Sequence, residues 1–125
     1  MNREYGYQNE CKLEEFFLHT YDCKKTKAKY DLFDFENDTT LIELKSRRFY
    51  KDAFYDTMIG ANKVDKGLLE LQLKRKKSIM FFFLFLDGLY FYELDKENMG
   101  LIRKDYFKGI PYYFIPVHML IKVEY

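Results

Sequence analysis

The chain has 125 residues, 21 Lys and Arg against 20 Asp and Glu, 48% hydrophobic and 20% aromatic residues, and two Cys. Twelve Tyr and thirteen Phe supply too much apolar area for a disordered tail, and a chain of this size buries enough surface for one core without disulfides or a structural metal. The longest apolar run, residues 79–86, falls far short of the ~20 residues that span a bilayer, and Cys11 and Cys23 lack the spacing and the neighbouring His of a zinc site. The first ten residues carry no signal-peptide core, so the expectation is one soluble, intracellular domain over residues 1–125, with free thiols.

Residues 9–21 predict a helix. At 100° per residue, Leu13, Phe16, Phe17, Thr20 and Tyr21 fall on one arc, and Lys12, Glu15 and His19 fall opposite, the pattern of a helix laid on a core. Glu10 lies inside the apolar arc, one turn before Leu13. Its carboxylate is expected to point toward the sheet, where a charge needs a partner.

Residues 30–35 and 40–46 predict two strands joined by Glu36-Asn37-Asp38-Thr39, whose Asn-Asp pair has tight-turn chemistry. The second strand alternates, with Ile42 and Leu44 on one face and Leu41, Glu43 and Lys45 on the other. With a two-residue turn at Asn37-Asp38, paired residue numbers sum to 75. Asp34 then faces Leu41 and lies diagonally beside Glu43, while Phe33 and Phe35 meet Ile42 and Leu44. A one-residue change in loop length places Asp31 there instead; the Asp34 register is preferred because it keeps the two apolar pairs together.

Residues 57–76 predict a second helix, with Ala61, Val64, Leu68 and Leu71 as its stripe, Lys63 beside it, and Gly60 and Gly67 allowing close backbone approach. Residues 79–86 predict a strand covered on both faces, and Asp87-Gly88 turns it into a partner at 89–94. A strand at 112–115 and a short terminal helix opened by Pro116, through Val117, Leu120 and Ile121, complete the chain. The order predicts an α/β fold with a small mixed central sheet flanked by helices.

Asp34, Glu43 and Lys45 are the chemically informative set. Residues two apart on a strand point the same way, about 6.5 to 7 Å apart, so Glu43 and Lys45 share a face to which the hairpin brings Asp34. Two converging carboxylates make an oxygen-only site suited to Mg²⁺ or Mn²⁺. A lysine beside such a metal can orient an attacking water or stabilise charge on a phosphoryl oxygen. Glu10-Cys11-Lys12 and Asp22-Cys23-Lys24 repeat the acid-x-Lys spacing, but the first splays its charges around a helix and the second lies in a polar connection. Near-zero net charge argues against brute electrostatic binding of nucleic acid. Yet the cations cluster in three runs, Lys24 to Lys29, Lys45 to Lys51 and Lys74 to Lys77, and it is local field that guides a phosphate backbone.

Tyr30-Asp31-Leu32-Phe33-Asp34-Phe35 followed by Leu41-Ile42-Glu43-Leu44-Lys45-Ser46-Arg47 resembles the core of the PD-(D/E)XK nuclease superfamily, the restriction-endonuclease-like fold. Asn9-Glu10 resembles its leading-helix acid, and Thr57-Met58-Ile59-Gly60-Ala61-Asn62-Lys63 resembles the segment that places a Lys or Gln near the site. Residues 83–92 and Tyr113-Phe114-Ile115-Pro116-Val117 resemble the later strands of small viral or phage members. The resemblance implies a Mg²⁺- or Mn²⁺-dependent nuclease cutting DNA rather than RNA, with weak or structure-directed specificity and a homodimer as one arrangement. It implies Asp34 and Glu43, with Glu10, as metal ligands, Lys45 as the catalytic lysine and Lys63 as a phosphate or site-orienting residue. No Pro precedes Asp31 or Asp34, which keeps Asp31 as the alternative motif acid. The alternative function is a catalytically silent protein of this fold that binds nucleic acid or a protein partner.

Overall fold

The computed structural model describes residues 3–27 and 32–125. Its elements in chain order are helix α1 (Arg3–Tyr21), strands β1 (Lys24–Lys25), β2 (Phe35–Glu36), β3 (Thr40–Ser46) and β4 (Asp56–Gly60), helix α2 (Ala61–Gln72), and strands β5 (Ser78–Phe85), β6 (Gly88–Glu93), β7 (Arg103–Phe107), β8 (Ile110–Pro116) and β9 (Ile121–Val123). A six-stranded mixed sheet runs β1-β2-β3-β5-β6-β9, and a three-stranded antiparallel sheet runs β4-β8-β7. Within the larger sheet β3 and β5 are parallel and the other pairs antiparallel. A parallel pair needs a crossover, and β4 with α2 supplies it.

The alternation predicted for β3 sorts the core into two layers. Ile42 and Leu44 point to α1, packing with Leu13, Phe17, Phe35, Met80 and Phe82. Leu41 points the other way, joining Val64 of α2, Ile59 and Ile115 of the smaller sheet, and Ile79, Phe81 and Phe83 of β5. Strand β5 is therefore apolar on both faces because both are covered.

Several expectations need correction. Helix α1 begins six residues before position 9, because its first two turns carry no apolar stripe to announce them. Residues 57–60 form a strand rather than a helix; Thr57 and Ile59 are buried with less buried neighbours between them, a period of two, and the helix starts at Ala61, the first residue of the apolar stripe. The terminal helix reduces to one 3-10 turn, Val117–Met119, after which Ile121–Val123 pairs with the open edge of β6. Strand β7 had no sequence signal, since all five of its residues are exposed. It is held by its ladder to β8 and by the Lys108-Gly109 turn, where both residues have positive φ.

The β2–β3 hairpin pairs Phe35 with Ile42 and Glu36 with Leu41, a sum of 77 rather than 75. Asn37 causes the longer loop. Its Oδ1 accepts the Thr39 and Thr40 N–H groups at 2.8 Å, and its Nδ2 donates to the Tyr21 and Asp22 carbonyls at the end of α1. The Asp34 N–H donates to the Ile42 carbonyl at 2.9 Å, the residue Phe35 already faces. The chain therefore bends at Asp34, sending Phe33 into the α2 layer while Phe35 stays in the α1 layer, which breaks the expected Phe pair.

Gly67 on α2 does meet its expected close approach. A Cβ there would lie 2.9 Å from Ile79 Cγ2 and 3.0 Å from Leu94 Cδ2. Gly67→Ala gains about 1 kcal/mol of helix propensity and loses roughly 1 to 3 kcal/mol to overpacking. The expected result is a lower urea midpoint than the parent protein, whereas a site with room for the methyl group would raise it.

Candidate active site

Strand β3 lies inside the larger sheet and carries Glu43 and Lys45 on its α2 face, level with Phe81 and Phe83 of β5. Those rings deny water to the carboxylate, and Glu43 is only 2% exposed. Its Oε2 is 2.9 Å from Lys63 Nζ of α2 and 3.2 Å from Lys45 Nζ. Its Oε1 is buried with no hydrogen-bond partner among the described residues. Lys63 Nζ also donates to the Leu32 carbonyl, so the ammonium bridges α2 to the segment leading into Asp34. Lys45 is the more open lysine, with a side chain 32% exposed against 19% for Lys63.

Asp34 enters from the bend before β2. Its Oδ2 accepts the Leu44 N–H at 2.8 Å, fixing the carboxylate against β3 beside Glu43. Burial first, and then the Asp34 charge, push the Glu43 carboxyl up to about 8 against the pull of Lys45 and Lys63. Two ammonium groups would keep an exposed glutamate ionised; here desolvation outweighs them.

Glu10 sits at the margin. Its carboxylate is 3.8 Å from Lys25 Nζ of β1; burial and then Asp34 raise its pKa, while Lys25 and Lys45 lower it. The helix residue that reaches the sheet is its neighbour Asn9, which is buried and donates from Nδ2 to Ser46 Oγ at 2.8 Å. The signal was available, since Asn9 precedes Leu13 by four and Phe17 by eight, on the buried stripe. Arg47 is the other residue the sequence reading missed. Two positions beyond Lys45, it donates from Nη2 to the Met58 carbonyl at 2.6 Å and from Nε to Thr57 Oγ1 at 3.4 Å, tying β3 to β4. Asp31 lies outside the described residues.

The basic runs divide. Lys45 and Arg47 turn inward, whereas Arg48 is exposed over the Tyr5 ring at 4.2 Å. Residues 74–77 close the end of α2, where the Arg75 and Lys76 N–H groups bond the Glu70 carbonyl and Arg75 pairs with the Glu70 carboxylate, so part of this run serves the helix terminus.

No protein-family model and no curated protein matches the chain. Among solved structures it is similar to D212, a nuclease from a fusselovirus, with a TM-score of 0.56 and 19% identity over 96% of this chain and 84% of that one. The two share a fold. The central strand with its acid pair and lysines thus stands in a fold shared with that protein. Among the described residues no helix is long and apolar enough to cross a membrane.

A divalent ion can be tested against the donor set itself. Among the described residues no three or more His, Cys, Asp or Glu side chains are gathered into a group that could hold a metal ion. Mg²⁺, however, commonly binds through one or two carboxylates, with water and phosphate oxygens filling its remaining positions. Glu43 and Asp34 supply that pair, and the partnerless Glu43 Oε1 is the kind of buried oxygen a cation satisfies. The residues fit the ion.

In metal-free protein the raised Glu43 pKa sets a stability slope. The unfolded chain ionises Glu43 near 4.5, while the folded chain holds the proton to about 8. This group's contribution is complete below 4.5 and is lost as the pH rises to about 8. Glu43→Gln is expected to flatten that fall and to raise stability at pH 8 by a few kcal/mol, on the order of what a shift of several pKa units represents. Urea titrations across this range in chelator check it; parallel slopes for the two proteins would refute it.

Proposed function

We propose that this protein is a metal-dependent nuclease of the PD-(D/E)XK type, hydrolysing phosphodiester bonds in DNA rather than RNA. The observation that carries the reading is Glu43: a buried carboxylate with one oxygen held by two lysines and the other without a hydrogen-bond partner among the described residues, beside Asp34. The similarity in fold to a viral nuclease supports it.

Asp34 and Glu43 would hold Mg²⁺ or Mn²⁺. Such an ion, once bound, supplies Lewis acidity and a more acidic water. The chain's own residues divide the remaining work. Lys63, anchored on the Leu32 carbonyl, fixes the Glu43 carboxylate and is a positioning residue. Lys45, the more accessible ammonium, is placed to touch the scissile phosphate or the attacking water and to stabilise charge as it develops there. Glu10 and Lys25 form the flank of the site on the α1 side, where Glu10 tunes the local charge and is an auxiliary acid.

Incubation with supercoiled, linear and branched DNA in Mg²⁺ or Mn²⁺ is expected to give cleavage that chelator stops. Glu43→Ala and Lys45→Ala are each expected to lower the rate by about 100-fold or more, the scale on which a lost electrostatic contact to the transition state acts. Lys63→Met is expected to raise the metal concentration needed for half-maximal rate, consistent with positioning. Cleavage persisting in both alanine variants would remove this site; DNA binding without cleavage on any substrate would favour the silent binding protein.

A further inference from the structure

Beyond Lys45 the site strand runs into a cleft of about 590 Å³ between the end of β3 and the smaller sheet, lined chiefly by Arg47, Phe49, Phe54, Met58, Phe107 and Phe114. This is within the volume range of pockets that enclose a small organic ligand. Phe54 and Phe107 both line the cleft and are 59% and 46% exposed, leaving aromatic surface open to a ligand. Phe54 stands edge-on to Phe49 at 5.0 Å between centroids, which steadies its ring. The cleft also has a charge preference. Arg47 and Arg48 line it, Lys108 stands over the Phe107 ring at 5.4 Å, and the lining carboxylate Asp56 is paired with Arg103 at 3.4 Å.

Resting on the nuclease reading, we infer that this cleft stacks an unpaired nucleobase of the substrate against Phe54 and Phe107. An apolar, cation-flanked cleft calls for a ligand that is flat and apolar but borne on an anion. In a nucleic acid that description fits the face of a base and nothing else, and duplex stacking hides base faces. Aromatic platforms beside a basic track are the general means by which proteins hold single strands. Arg47, which lines the cleft, is four residues beyond Glu43, about 13 Å along an extended strand, so a strand engaged at the acid pair can reach the cleft within a few nucleotides. The preferred substrate is thus a single strand, or a duplex carrying an unpaired flank.

Fluorescence anisotropy with a labelled single strand and a blunt duplex of the same sequence, at low salt in chelator, tests this on the intact protein. The expected result is tighter binding of the single strand, quenching of a 2-aminopurine placed in it, and a fall of roughly 5- to 100-fold in the ratio of single-strand to duplex affinity on Phe54→Ala or Phe107→Ala. Phe54→Trp should preserve both the ratio and the quenching. An unchanged ratio in both alanine variants overturns the inference, as does a sedimentation mass that falls from dimer to monomer on Phe54→Ala, which would assign the cleft to a second copy. Equal affinity for both nucleic acids with Mg²⁺-dependent cleavage intact overturns the stacking site and leaves the nuclease reading standing; absence of both binding and cleavage overturns the two together.

Discussion

The Glu43 carboxylate between the Lys45 and Lys63 ammonium groups is the constraint on which the surrounding architecture depends. A carboxylate this buried is costly wherever it lacks a counter-charge. The strand itself and the helix that follows it provide one. Lys45 comes from the same strand, and Lys63 comes from the first turns of α2, which is held over the sheet by Ala61 and Val64 in the core. The packing of α2 therefore sets the electrostatics of β3. Even so the lysines engage one oxygen only, and the other has no hydrogen-bond partner among the described residues. Such an imbalance is strain at one atom of an otherwise well-packed layer, of the kind proteins carry at sites of function.

The two faces of β3 divide the labour. Toward α1 the strand presents Ile42 and Leu44, sealed by Leu13, Phe17 and Phe82. Toward α2 it presents Glu43 and Lys45 on a background of phenylalanine from β5. The aromatic richness noticed in the composition is thus a property of the site's dielectric as well as of its stability. Phe81 and Phe83 exclude water from the Glu43 side chain, and that exclusion is the first cause of its raised pKa.

Much of this was legible in the sequence where burial is two-sided or strictly alternating. Residues 40–46 and 79–86 declared themselves because their neighbours cover both faces; the turn after the second falls one residue earlier than Asp87-Gly88, at Leu86-Asp87, with Gly88 opening β6 opposite Phe85 at φ 149°. The acid-x-Lys pair on a buried strand could be separated from its decoys for the same reason. What escaped was set by contacts that leave no period. The 57–60 segment runs directly into the α2 stripe, with only Gly60 between them, so its own short alternation was absorbed into the helix. The hairpin register depended on the hydrogen bonds of one asparagine side chain, five in all. Charge and spacing alone do not single out Asn9 and Arg47, whose importance lies in partners at Ser46 and Met58.

Arg47 has a mechanical consequence. Its guanidinium joins the strand of the acid pair to β4 of the smaller sheet, and the same residue lines the aromatic cleft. Cleft and carboxylates are thereby mounted on one rail with one cross-brace. A displacement of the smaller sheet is therefore carried through this side chain to the strand of the acid pair, which couples the cleft mechanically to the carboxylates.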